Sequence, residues 1–177
     1  YEQCYADIKQ LEGEILRQAL LLQGSALEPG ESKRLSQIIP SIRNAVHAAK
    51  SVRDVYEDLQ SFRGSVNDRF NAYFGQFREA AREFFESLDA LRTSDLPPLR
   101  FEALVQIKAK SETVQERMHR RIYDEVTRDE LSEVEISTLL NVNREVFVAN
   151  HNIVLALADA LLDSDSARDF ASIPAAH

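Results

Sequence analysis

The stretch from Leu35 to Leu59, LSQIIPSIRNAVHAAKSVRDVYEDL, decides the fold. Leu35, Ile38, Ile42, Ala45, Ala49, Val52, Tyr56 and Leu59 recur at steps of three and four, which places them on one helical face. Pro40 lies inside the run. Proline removes a backbone hydrogen bond and crowds the preceding turn, yet the apolar phase passes through it. The expectation is a single kinked helix over residues 31–63. At 1.5 Å per residue it would be ~50 Å long, the length of an elongated bundle.

The same rhythm holds on both sides. Cys4, Ile8, Leu11, Ile15, Ala19 and Leu22 predict a helix over 1–23, stopped by the turn-rich segment from Gly24 to Gly30. Phe70, Phe74, Phe77, Ala81, Phe84, Leu88 and Leu91 predict one over 65–92. Five of the nine Phe fall between residues 70 and 85, so much of the core mass is expected there. Leu104, Ile107, Val114, Met118, Ile122 and Val126 predict a helix over 96–126, with Pro97 and Pro98 tolerated in its first turn. Ser132 and Glu135 form a capping-box pattern. Leu139, Leu140, Val146, Phe147, Ile153, Leu157 and Leu161 carry the last helix, over 132–163. No segment alternates with period two. The expected fold is all-α: an elongated antiparallel bundle of five long helices over 1–163, followed by an irregular acidic tail over 164–177. Phe70, Phe74, Phe77 and Phe84 are expected to form its largest core cluster.

Composition removes several functions. A chain of 177 residues with 44% hydrophobic residues is one domain with a real core. Its five Gly never cluster, so no Gly-rich phosphate loop exists. One Cys excludes a disulfide framework and a Cys-rich zinc site. The 29 acidic residues outnumber 21 basic ones, for a net charge of -8, which disfavours nucleic acid as a partner. No signal peptide is recognisable. The most apolar run, Ile153 to Leu162, is short and interrupted by Asp159, so no transmembrane helix is expected. The chain begins at Tyr1 rather than Met. That leads to the expectation of a fragment whose missing part holds any targeting or membrane signal.

Most chemistry-bearing patterns have a plain reading. Glu116 and His119 have the Glu-x-x-His spacing of di-iron bundles, but no second copy exists, and Arg117, Arg120 and Arg121 surround His119. A solvated helix face is expected there, with an acidic partner or lipid headgroups a weak alternative for the arginines. Asp163, Ser164, Asp165 and Asp169 hint at a calcium loop without its Gly or closing Glu. Cys4, on an apolar face, reads as a buried inert thiol.

Two patterns stand out. His47, Lys50, Ser51, Asp54 and Asp58 form a stripe at three- and four-residue steps beside the apolar seam. Asp54 and Asp58, one turn apart, could share a hard divalent cation through oxygen ligands; a Lys50–Asp54 ion pair is the plainer reading. In the last helix Asn143 and Asn150 fall on the apolar seam seven residues apart. Register-setting is their expected role, with a polar binding site the alternative.

The segment Ile42 to Val52 also parallels Asn143 to Ile153, with Arg43 matching Arg144 and the apolar positions mostly in phase. Through Ile42-Arg43, Lys50-Ser51-Val52-Arg53-Asp54 and Leu140-Asn141-Val142-Asn143-Arg144-Glu145, the chain resembles the PhoU-like domain at the C-terminus of bacterial sodium/phosphate cotransporters. The resemblance implies two three-helix repeats with the first helix missing. It implies a non-catalytic regulatory domain, involved in phosphate uptake or its control, at the cytoplasmic face of the inner membrane. Its partner would be the transmembrane transporter domain of the same chain or complex, with homodimerisation a further option. Standalone PhoU proteins bind metal clusters through a Glu/Asp-x-x-x-Asp motif, whose spacing Asp54 and Asp58 match. Aligning on Arg43 instead places Ala49 and Arg53 at the acidic positions, and Glu145 is followed by Ala149.

The expectation is therefore no resident cofactor and no stable metal cluster, with a single hydrated ion at Asp54 and Asp58 as the alternative. The candidate contact stripe comprises Arg43, His47, Lys50, Asp54, Asp58 and Arg144. A general scaffold or signalling bundle is the rival function, and a carboxylate-bridged metalloenzyme the least favoured.

Overall fold

The structure is a computed structural model describing residues 1–89, 91, 96–128 and 130–174. It is all-helical among these residues: α1 (Glu2–Gln23), α2 (Pro29–Asp54), α3 (Tyr56–Gly64), α4 (Asp68–Asp89), α5 (Pro97–Val126), α6 (Glu133–Leu161) and α7 (Ser164–Ala171). Side-chain pairings make the neighbours antiparallel. Tyr1 reaches Ala49, Gln37 reaches Leu162 while Ser41 reaches Ala156, and Arg69 reaches Glu125 while Lys110 reaches Glu83. Residues 90 and 92–95, read as the end of one helix and the approach to the next, lie outside the described residues, as do 129 and 175–177.

Two helix boundaries follow local chemistry. Ser132 and Glu135 close the expected capping box, with Glu135 Oε2 accepting from Ser132 N at 2.8 Å. The start expected at residue 65 moves to Asp68. Asn67 is the cap, its Oδ1 accepting from the backbone N–H groups of Arg69 at 3.0 Å and Phe70 at 3.4 Å. Pro40 does not break α2, which runs on to Asp54.

The break comes instead at Val55, so the single helix expected over 31–63 is two. Val55 has φ -112° and ψ 8° and no solvent exposure. Burying it beside Phe62 turns the chain, and α3 then carries Leu59 and Phe62 against α4 and α6. Packing overrides a periodicity that ran through the site unbroken.

The inner face of α2 also differs from the expected seam. Ala45 is exposed, whereas Gln37, Ala48 and Ser51 are buried. Helix α2 is gripped from two sides, by α1 and by α6. The α6 side uses small and polar residues, which allow the two backbones to approach closely. Ser41 Oγ donates to the Ala156 carbonyl at 2.8 Å, Arg34 Nη2 to that of Ala160 at 2.6 Å, and Gln37 Nε2 to that of Leu162 at 3.2 Å. The last two satisfy carbonyls at the C-terminal end of α6 that lack intrahelical partners.

The core is divided. One cluster joins Val55, Phe62, Phe70, Tyr73, Phe77, Met118, Ile122, Leu139 and Val142, with Phe74 packed on its edge. Phe84 belongs to a second cluster, with Leu91, Leu104, Ile107, Val154, Leu162 and Phe170. The four Phe expected in one cluster are therefore split. Phe77 and Phe84 lie two turns apart on α4, ~10 Å along its axis, and Ala80, Ser111, Val114 and Asn150 lie at the level between them.

The first part of the tail expected to be irregular is a helix. Ser164–Ala171 is helical, and Ala167 and Phe170 are buried in the second cluster. Its hydrophobic spacing is too short to be legible, but Asp163 caps it. The Asp163 carboxylate accepts from Asp165 N and Ser166 N, both at 3.0 Å, and from Ser166 Oγ at 2.8 Å. These bonds, led by that from Ser166 N, hold its carboxyl below the ordinary value. Asp163 thus serves as a helix cap.

Candidate functional site

The polar stripe starts on the outer side of α2, where Arg43, His47 and Lys50 are exposed. It does not continue as a row. Asp54 is the last residue of α2, and its Oδ1 accepts from Arg53 Nε at 3.0 Å and Nη2 at 2.6 Å. Arg53, rather than Lys50, is its partner. The Arg53 guanidinium lies over the Tyr5 ring, 4.3 Å from its centroid, and Tyr1 stacks on Tyr56 at 4.8 Å. Asp54 is thereby drawn into the contact between α1 and the α2–α3 break.

Asp58 stands beyond that break and faces α6. Asn141 Nδ2 donates to Asp58 Oδ2 at 3.4 Å, and Arg144 Nη2 donates to Asn141 Oδ1 at 2.9 Å. Arg144 also pairs with Glu145 at 3.0 Å. Two residues of the stripe, Asp58 and Arg144, are therefore linked through one amide across α3 and α6. Arg43, His47 and Lys50 form the exposed α2 portion. Sequence reasoning assigned no role to Asn141, because an Asn on a helix flank carries no periodic signal.

The other motifs resolve simply. Glu116 pairs with Arg120 at 2.9 Å, Arg121 donates to Gln76 Oε1 at 3.1 Å, and His119 is exposed. Asn143 is buried and its Nδ2 donates to the Gln115 carbonyl at 3.2 Å, which ties α6 to α5. Cys4 is exposed, contrary to the expected buried thiol, because α1 buries only Ala19. Among the described residues no group of three or more His, Cys, Asp or Glu side chains converges as metal ligands.

A charged cluster that the sequence did not reveal lines an open cavity of about 690 Å³ between α4 and α5. Glu125 is buried there and accepts from Arg69 Nε at 2.7 Å and from the Tyr73 hydroxyl at 3.1 Å. Burial, reinforced by the Glu125 charge, pushes the Tyr73 phenol up to about 12. Glu130 pairs with the same Arg69 at 2.6 Å. Both acids are engaged and the phenol keeps its proton, so the cluster fastens the end of α5 to α4. Its members come from positions about 55 residues apart, which hides them from any local pattern.

Comparison of the chain with protein-family models, with curated proteins and with solved structures finds no match.

Proposed function

We propose that this chain is a non-catalytic regulatory domain that docks on the transmembrane domain of a sodium-dependent phosphate transporter, at the cytoplasmic face of the inner membrane. One observation carries the docking: α1 leaves an apolar surface outside the core. Leu11 is 56% exposed, Leu20 65% and Leu21 62%, and Ile8 and Leu22 are exposed with them. Among the described residues, the helix-to-helix packing of α1 is on α2. Five large apolar side chains left exposed on one helix support a partner contact. The transporter as partner rests on the resemblance of residues 42–54 and 140–145. Among the described residues no helix is long and apolar enough to cross a membrane, so in this reading the span belongs to the partner. The Asp58–Asn141–Arg144 link and the exposed Arg43, His47 and Lys50 supply a separate polar contact. No resident cofactor enters the reading.

The test is co-purification with the transmembrane domain of a sodium/phosphate cotransporter, using the wild type and a Leu11→Glu/Leu21→Glu double variant. Retention of the wild type and loss of the variant, with unchanged helicity, is the expected result. If the wild type ignores that domain yet self-associates through the same two leucines, the general interaction-module reading replaces this one.

A further inference from the structure

Between the two core clusters, α4, α5 and α6 do not close completely. Two gaps of about 20 Å³ each lie there, and both are lined by Ala80, Ser111, Val114 and Asn150. Ala80 is too small to reach across from α4. Phe77 and Met118 bound one side of this layer, and Phe84 and Ile107 the other.

Into this space goes a polar atom with nothing to bond. Ser111 is 9% exposed, and its buried Oγ has no hydrogen-bond partner among the described residues. A hydroxyl carries one donor and two acceptor sites. Buried polar side chains nearly always find a partner, either protein or ordered water. Asn150, on the opposite wall, offers an amide with both donor and acceptor atoms. A gap of ~10–15 Å³ is enough for one water, provided polar groups surround it. Both conditions hold here, and the space is too small for a larger ligand.

We infer that Ser111 and Asn150 hold one structural water between α4, α5 and α6. On the outside, Lys110 spans from α5 to α4, with its Nζ 3.6 Å from Glu83 Oε2 and 3.5 Å from Ser87 Oγ. All three residues line one of the two gaps. The hydrated layer gives Asn150 a task distinct from that of Asn143, which bonds the Gln115 carbonyl directly. It also explains why the hydrophobic core is divided at this level.

The experiment combines a crystal structure of the full chain, at a resolution that places ordered water, with oxygen-17 relaxation counting of long-lived waters. Both are applied to the wild type, Ser111→Ala and Ser111→Val. The expected result is a density peak within hydrogen-bond distance of both Ser111 Oγ and the Asn150 amide. The count of long-lived waters should fall by one in Ser111→Val, whose added methyl groups fill the gap. Ser111→Ala, which cannot clash, should lower the water's occupancy even if the valine variant folds poorly. A wild-type structure with the Ser111 hydroxyl turned onto the Ile107 carbonyl and no water peak overturns the inference. An unchanged water count in Ser111→Ala and a folded Ser111→Val does so as well.

Discussion

Lys108 places its Nζ 2.8 Å from Glu112 Oε1, one turn along α5, and both side chains are more than nine-tenths buried. The same ammonium donates to the Pro174 carbonyl at 3.0 Å. An ion pair inside the bundle therefore also holds the end of the chain.

Breaking that pair from one side takes from the remaining buried charge its oppositely charged neighbour one turn away. Lys108→Met or Glu112→Leu alone is expected to cost ~3–5 kcal/mol. The double variant, with both charges gone and the volume kept, is expected to recover most of that loss. Urea denaturation of the three variants measures it, and a double variant as unstable as the sum of the singles would contradict the assignment.

Phe170 is 1% exposed and packs edge-to-face on Phe101 with centroids 6.0 Å apart. Phe170→Ala is expected to destabilise the whole domain by ~3–5 kcal/mol, like other large buried aromatics. A thermal or urea midpoint unchanged from the wild type would mean that α7 does not belong to the core.

The contribution of His151 to stability should fall on mild acidification. Burial pushes the His151 imidazole below its ordinary value; the Lys108 charge adds to this and Glu112 opposes it. The unfolded chain then binds a proton more readily than the folded one. His151 therefore contributes stability that is fully present above pH ~6.5 and is lost as pH falls below that value towards the depressed one. The urea midpoint of His151→Gln should vary less than that of the wild type between neutral pH and pH 5. Asp159 shifts in the opposite direction through burial, but it is common to both proteins and drops out of the comparison.

Dialysed protein is expected to carry no stoichiometric iron, zinc or manganese. Asp54 is engaged by Arg53 and Asp58 by Asn141, and Lys50 adds positive charge nearby. Elemental analysis of the wild type, Asp54→Ala and Asp58→Ala decides it. Metal present in the wild type and missing from both variants would establish a site in the stripe.

The candidate site was legible only in part. Its residue types and helix faces could be read from spacing, and so could the capping boundary at Ser132 and Glu135. The link from Asp58 to Arg144 could not, because it passes through Asn141 on a helix 83 positions away. The Lys50–Asp54 pairing failed for a local reason: Arg53, the adjacent residue, reaches the carboxylate and stacks on Tyr5.

By itself the sequence determined that the chain is helical and where most helices run. Three-and-four spacing and capping chemistry act over one or two turns, and neighbouring residues are enough to express them. Tertiary structure alone decided the break at Val55, the turning of α2 onto its small and polar side, the burial of α7 and the division of the core around Ser111. Each depends on which surfaces meet. A buried Val55 can outweigh an unbroken apolar phase, and a close α2–α6 approach favours Ser41, Ala48 and Ser51 over larger residues. Those choices are set by packing between different helices, some more than 100 residues apart, where local periodicity carries no information.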